Sequence, residues 1–259
     1  MPTVQLNENK IIAYDDLGQG TPVLFIHPPG MGRHVFYYQR KLSEKMRIIV
    51  PDLSGHGDSS RIKSSEVSIR HYSEELIELL DKLNLEEVVI CGYSAGGVIA
   101  QNLCISYPNR VSGLILFGGY PAVINTAFQW EHKAGMYMVK HHQKLLGQLL
   151  AISHTKNKKL RELLIQHMEK CQPGAWYKYY QVVLRSNLIN DIHKINVPIL
   201  LMYGTRSDLI NKYLSYFKKR TNNLRVVFFK RTNHQVPTKR WKSANREISS
   251  FIATLNKNK

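Results

Sequence analysis

The strongest constraint on the fold lies in residues 88–103, where an apolar run becomes a helical pattern through a turn of small residues. Residues 88–91 (VVIC) are apolar and mostly β-branched, which predicts a fully buried strand. In the turn, Gly92 and Gly96 lack the Cβ atoms that would collide with the neighbouring strand and helix. Ser94 would then stand above the sheet at a helix N-terminus, where unpaired N–H groups favour negative charge. The pattern predicts a nucleophilic serine.

Apolar strand-like runs alternate with helical patterns on both sides of this turn, which predicts an α/β fold with a mostly parallel sheet. Two short runs near the N-terminus, residues 4–6 and 11–14, are separated by a polar turn and predict a hairpin. The further predicted strands are 22–26, 47–51, 114–117, 197–203 and 225–229. The predicted helices run from Gly32 to about Glu44, from Ser68 to about Leu83, from Ala95 onward, after Asp208, and from about Thr238 to Leu255.

The alternation stops between Tyr120 and Asn196. This segment contains no strand-like run, and its pattern predicts helices near 126–150, 157–170 and 174–190. Because the alternation resumes at Val197, an inserted helical cap fits better than a second domain. We therefore expect a core formed by residues 1–119 and 197–259, with 120–196 as the cap.

The positive charge of the chain, a formal +17, is unevenly distributed. Residues 1–119 carry 11 basic and 13 acidic side chains (−2), residues 120–196 carry 11 and 4 (+7), and residues 197–259 carry 14 and 2 (+12). Such a charge suits a nucleic acid, an anionic membrane or an acidic substrate. No arginine-rich or aromatic-interleaved RNA motif accompanies it, so we interpret it as solvated helix faces and expect no specific nucleic-acid partner.

The three cysteines are scattered and odd in number, which argues against a disulfide framework. No apolar run approaches the roughly 20 residues of a membrane helix, and the N-terminus has no signal-peptide pattern. These features predict a cytoplasmic protein without a membrane span. The oligomeric state is left open.

Histidines in the cap raise the question of a metal. His141, His142, His154 and His167 have no carboxylate or cysteine at ligand spacing, so we expect surface or lid residues and no metal site. In the core, Asp52 and His56 are interpreted as residues that order their loop by hydrogen bonds.

Three groups carry the predicted chemistry, and each follows directly after a strand: Ser94, Asp208 and His234. The carboxyl ends of parallel strands share one edge of a sheet, so these groups should meet there. A histidine can accept the proton of a serine, and a carboxylate can fix the tautomer of that histidine. Asp191 is a rival acid, but it precedes a strand and would lie at the opposite edge.

Several motifs together resemble the α/β-hydrolase superfamily, in particular its capped esterase-like branch. They are the His27-Pro28-Pro29-Gly30 loop, PDLSGHGDS at residues 51–59, GYSAGG at 92–97, Gly204-x-x-x-Asp208 and Asn233-His234. The resemblance covers nearly the whole chain. It implies an eight-stranded sheet, a lid inserted after the sixth strand, and a catalytic triad of Ser94, Asp208 and His234.

One position departs from that family pattern. The residue that usually donates the second oxyanion N–H corresponds to Pro29, which has no N–H. Ala95 can supply the first donor, and we expect Gly30, or else Met31, to supply the second.

These observations predict a serine hydrolase that cleaves a small carboxylic ester or related acyl bond and that needs no metal or organic cofactor. Its partner would be a small-molecule substrate. Two alternatives stay open: a lyase or acyl transferase that uses the same triad, and a ligand-binding or signalling module with little turnover.

Overall fold

The computed structural model describes residues 2–7, 10–206, 208–221 and 223–257, without the side chains of Asn7 and Asp208. In this part of the chain eight strands form one sheet in the order β1-β2-β4-β3-β5-β6-β7-β8. The strands are β1 (Thr3–Asn7), β2 (Lys10–Leu17), β3 (Pro22–Ile26), β4 (Arg47–Pro51), β5 (Val88–Tyr93), β6 (Val111–Phe117), β7 (Ile199–Gly204) and β8 (Leu224–Phe229).

The sheet is antiparallel only at its N-terminal edge. β1 pairs with β2 and β2 with β4 in antiparallel register, and the pairs from β4 through β8 are parallel. β5 lies between β3 and β6, and all six of its residues are buried. The expected α/β-hydrolase sheet is therefore confirmed, with the predicted serine after a central strand.

Two apolar clusters cover the two faces of the sheet, and alternate residues of one strand enter different clusters. Leu24 and Ile26 of β3 join the cluster that contains Leu76 and Leu79, whereas Phe25 joins the cluster that contains Ile248. This alternation follows from the two-residue period of a strand.

The helices are α1 (Ile69–Lys82), α2 (Gly96–Ser106), α3 (Thr126–His154), α4 (Lys158–Glu169), α5 (Pro173–Arg185), α6 (Asp208–Asn211), α7 (Leu214–Lys218), α8 (Val236–Lys239) and α9 (Trp241–Lys257). The side chain of Ser68 accepts the N–H of His71, as expected of an N-cap. The helices expected in 120–196 are present as α3–α5. The division into a core and a cap domain stays a prediction.

Three helix predictions need correction. The segment after Gly32 forms two 3₁₀ helices, Arg33–Phe36 and Gln39–Glu44, because Arg33 and Gln39 turn inward to polar partners instead of facing solvent. The helix expected after Asp208 is split into α6 and α7. The last helix is interrupted at Arg240, where the backbone leaves the helical region, so α8 and α9 are separate. None of the helices in the described residues is long and apolar enough to cross a bilayer.

Candidate active site

Ser94 occupies the turn between β5 and α2 in a left-handed conformation, with φ of +53°. The turn is closed by the Ser94 N–H, which donates to the Phe117 carbonyl at 2.9 Å, and by the Gly97 N–H, which donates to the Ser94 carbonyl at 2.8 Å. A left-handed backbone is costly for a residue with a side chain and persists where the surrounding structure enforces it.

The two glycines of the turn are required by close backbone contacts. A Cβ atom on Gly92 would lie 2.6 Å from the Cα of Gly97, and one on Gly96 would lie 2.3 Å from the carbonyl oxygen of Ile26. Both distances are too short for any side chain. The structure thus explains why small residues flank Ser94 at this spacing.

His234 follows β8 and lines the same cavity as Ser94. Its ring lies against Tyr93, with ring centroids 5.2 Å apart. Burial lowers the pKa of His234 to about 3, and the nearby His154 and His132 act in the same direction. Among the described residues, neither ring nitrogen has a hydrogen-bond partner, so no hydrogen bond joins His234 to Ser94 in this state.

Asp208, the predicted acid, begins α6 directly after the loop that follows β7. Its side chain lies outside the described residues, so its role stays a prediction. The rival Asp191 lies in the 3₁₀ helix Ile189–Lys194, on the chain segment that leads into β7, and its carboxylate pairs with the Lys194 ammonium at 2.7 Å. It is not among the residues that line the cavity.

The Pro28–Met31 loop is a tight turn closed by the Met31 N–H, which donates to the Pro28 carbonyl at 3.3 Å. Gly30 has φ of +79°, which fits the third position of a type II turn, with Pro29 at the second position where its fixed φ is favourable. Of the two expected oxyanion donors, Met31 therefore uses its N–H within the turn. Gly30 lies against the indole of Trp176, where a Cβ would come within 2.0 Å of the ring.

Ala95 also lines the cavity, directly after Ser94. The hydrogen bonds of the turn use the amides of Ser94, Gly97 and Val98, and the Ala95 amide takes no part in them. Its N–H stays a predicted oxyanion donor.

The cavity above Ser94 has a volume of about 160 Å³. The core contributes the loop prolines and the nucleophile turn, and the helices between β6 and β7 supply much of the remaining wall. The cap residues are Tyr120, Phe128, Glu131, His132, Leu150, His154 and Tyr180. Of these, sequence analysis considered only His154, and only as a metal ligand; the spacing of Phe128 and His132 on one face of α3 was the available signal.

Two tyrosine–histidine pairs are part of this wall. The Tyr120 hydroxyl lies 3.2 Å from Nε2 of His132, and the Tyr93 hydroxyl lies 3.0 Å from Nε2 of His154. In both histidines Nδ1 lies within 3.0 Å of a helix carbonyl, that of Phe128 or Leu150. Carbonyls only accept, so both Nδ1 atoms carry the proton and both Nε2 atoms accept from tyrosine.

A buried ionic cluster lies beside the site, and it changes the expectation for His167. Tertiary folding brings His167 of α4 to Asp52, with Nε2 2.9 Å from Oδ1. Single ligand atoms of Asp52, Asp58 and His167 all lie within 4.8 Å of one another. The statement that no carboxylate accompanies the cap histidines is therefore wrong for His167. Because the guanidinium of Arg33 pairs with both aspartates, the cluster is already supplied with positive charge.

The loop-ordering role expected of Asp52 and His56 agrees with their contacts. Asp52 accepts the backbone N–H groups of Arg33 and Asp58 at 2.7 and 3.0 Å, and Nδ1 of His56 lies 3.2 Å from the carbonyl of Ser54. His27 plays a similar part: its Nε2 accepts the N–H of Leu53 at 3.0 Å. Burial lowers the pKa of His27 to about 4, so the ring is neutral.

Comparison with known proteins gives a consistent family. The sequence profile of the alpha/beta hydrolase fold matches residues 21–171, more than half of the chain. A relative from Acinetobacter baylyi, (E)-2-((N-methylformamido)methylene)succinate hydrolase, is 27% identical over 144 residues, which cover 55% of this chain and 52% of the relative. A 2-hydroxymuconate semialdehyde hydrolase from Pseudomonas putida is 37% identical over 110 residues, 40% of this chain and 38% of the relative.

These alignments span about half or less of the curated relatives' length. Over the full chain, the fold matches that of an esterase from Exiguobacterium antarcticum with a TM-score of 0.87 and 19% identity, covering 97% of this chain and 98% of that one. The profile match and the sheet lead to one conclusion: the chain belongs to the alpha/beta hydrolase fold family, among relatives that are esterases and other hydrolases.

Proposed function

We propose that this protein is a serine hydrolase that cleaves a small carboxylic ester or related acyl bond through an acyl-enzyme on Ser94. The observation that carries the proposal is the left-handed Ser94 in the cavity that His234 also lines. A serine in this turn presents its hydroxyl to a bound carbonyl carbon, and a neutral imidazole in the same cavity can take its proton.

In the proposed reaction, Ser94 Oγ attacks the carbonyl carbon as its proton passes to His234. The imidazolium then protonates the leaving group, and water repeats the sequence on the acyl-enzyme. Asp208 would orient His234 and support its positive charge. The amides of Ala95 and Gly30 would donate to the oxyanion.

The size and lining of the cavity bear on the substrate class. A volume of about 160 Å³ is below the roughly 300–1,000 Å³ of sites for drug-sized ligands. Phe128, Leu150 and Met31 supply apolar surface, whereas Glu131 is exposed at the rim. We therefore propose a small substrate with a short apolar acyl group.

A fluorophosphonate probe and a series of p-nitrophenyl esters test this proposal. Wild type should be labelled once per chain and should turn over acetate and butyrate esters faster than the octanoate ester, whereas Ser94→Ala should do neither. Full turnover by Ser94→Ala would refute the serine mechanism.

The same experiment separates the alternatives. Labelling of Ser94 without repeated turnover would favour a binding module. Acyl transfer to an added alcohol in preference to water would favour a transferase.

A further inference from the structure

The hydroxyl of Tyr120 contacts both Ser94 and a cap histidine. Tyr120 follows β6 and is 1% exposed. Burial raises the pKa of its phenol well above the usual value, and a hydrogen bond with the Ser94 side chain acts in the opposite direction. On its other side, the hydroxyl lies 3.2 Å from Nε2 of His132. The three groups therefore form one hydrogen-bonded series.

The direction of this series follows from its far end. Nδ1 of His132 lies 3.0 Å from the carbonyl of Phe128 and must donate to it. Burial lowers the pKa of His132, so its Nε2 has a free lone pair at neutral pH and accepts the Tyr120 proton. The Tyr120 oxygen then faces Ser94 as an acceptor. In the resting state the Ser94 hydroxyl consequently donates toward Tyr120.

We propose that Tyr120 is a further catalytic residue and that, with His132 as terminal base, it gives the Ser94 proton a second path beside the one through His234. The inference rests on the proposed serine mechanism. It assigns to two cap residues a task in the chemical step.

The proton balance of the step is complete within the site. As the bond from Ser94 Oγ to the acyl carbon forms, the Ser94 O–H bond breaks and its proton moves to the Tyr120 oxygen. The original Tyr120 proton moves to Nε2 of His132, and the π electron pair of the carbonyl moves onto its oxygen. When the tetrahedral intermediate collapses, the imidazolium returns the proton through Tyr120 to the leaving group, so no outside reactant is needed.

Tyr203 offers a matched control. It is fully buried and donates to the carbonyl of Gly119, next to Tyr120 in the chain, at 2.8 Å, but it does not line the cavity. Tyr203→Phe therefore removes a buried hydroxyl and a backbone hydrogen bond without touching the proposed path.

The test compares Tyr120→Phe, His132→Gln and the double variant on one activated ester, with the unfolding midpoint of each. Glutamine can accept the Tyr120 hydrogen bond but cannot take its proton, so His132→Gln separates proton transfer from packing. Each single variant should lower kcat about 10-fold with KM little changed. This is less than the 10²–10⁴ of a sole acid–base group, because the His234 path remains. The double variant should be no slower than the slower single one, and Tyr203→Phe should keep wild-type kcat.

A proton inventory in mixtures of H₂O and D₂O supplies a readout that a structural role would not move. Wild type should give a curved plot, because more than one proton is in flight, and Tyr120→Phe should give a plot closer to a straight line. Wild-type kcat in His132→Gln, or an unchanged inventory in Tyr120→Phe, would overturn the relay. Either result alongside an inactive Ser94→Ala would leave the serine mechanism standing, whereas an active Ser94→Ala would remove both proposals.

Discussion

The imidazole of His234 occupies the space that the missing side chain of Gly118 leaves open. A Cβ atom on Gly118 would lie 2.4 Å from Cε1 and 2.5 Å from Nδ1 of the ring. Gly118 ends β6 with φ of +56° and donates its N–H to the Met202 carbonyl at 2.8 Å. The position of the predicted base is therefore set by a glycine on a neighbouring strand, far from His234 in sequence.

Gly118→Ala should displace the His234 ring and lower kcat about 10²-fold, because small displacements of a catalytic group cost rates of this order. The alanine also adds backbone strain at positive φ. Gly20→Ala controls for that strain, since Gly20 has φ of +95° but the atom nearest to its Cβ position is 3.8 Å away. Esterase rates and unfolding midpoints of both variants check the prediction. A wild-type rate in Gly118→Ala would show that the ring position is not limiting.

The pH dependence of kcat/KM tests whether Asp208 supports His234. Burial lowers the pKa of His234 to about 3, and a histidine base is active in its neutral form. An orienting carboxylate stabilises the imidazolium and raises this pKa, so the acidic limb of wild type should lie above that of Asp208→Asn. Asp208→Asn should also lower kcat, by up to about 10⁴-fold. Identical limbs and rates in both proteins, or an inactive Asp191→Asn, would reassign the acid.

Asp52→Asn should destabilise the protein by about 3–5 kcal/mol, because it removes one member of a buried ion pair and leaves charge uncompensated. The carboxylate is fully buried, pairs with Arg33 and lies 2.9 Å from Nε2 of His167. Urea unfolding at neutral pH measures the change. The exposed pair of Arg70 and Glu74 gives the control, and Glu74→Gln should change stability little.

Acid should have the same effect on wild type. Burial alone would raise the pKa of Asp52, but the hydrogen bond and charge of His167 and the charge of Arg33 hold it well below its usual range. A depressed folded-state pKa means that the stabilisation is present above the unfolded value of about 3.9 and is lost as pH falls below it. Unfolding free energies measured from pH 5 to pH 2.5 should therefore fall more steeply in wild type than in Asp52→Asn.

Pro29→Gly should slow the reaction rather than speed it, although it restores an N–H at the position of the missing oxyanion donor. Pro29 occupies the second position of the turn that sets Gly30 at φ of +79°, and its ring fixes the backbone there. Glycine would loosen this turn and the amide of Gly30 with it. The measurement is kcat on one activated ester, with thermal stability in parallel. A clear rise in kcat at unchanged stability would show that the native site lacks a donor.

The local sequence determined those features that depend on neighbouring residues. The apolar run before Gly92 and the small residues around Ser94 predicted the strand, the turn and the serine, because a buried strand and a strained turn each restrict residue type at fixed spacing. Alternation of such segments predicted the parallel sheet and, with it, the common edge at which Ser94 and His234 meet. The turn at Pro28–Met31 could likewise have been predicted in detail, since proline followed by glycine matches a type II turn.

Only the tertiary structure decided which side chains surround Ser94. Tyr120 and His132 lie on different elements, and no spacing in the sequence relates His167 to Asp52 across 115 positions. The inward turn of Arg33 depends on a carboxylate from another loop, which is why the amphipathic helix expected there is replaced by 3₁₀ segments. These contacts form when helices between β6 and β7 close over the strand ends, and their energies come from burial and from charge pairs between distant segments. Local patterns record which faces are apolar, whereas the pairing of buried polar groups is fixed by how those faces are assembled.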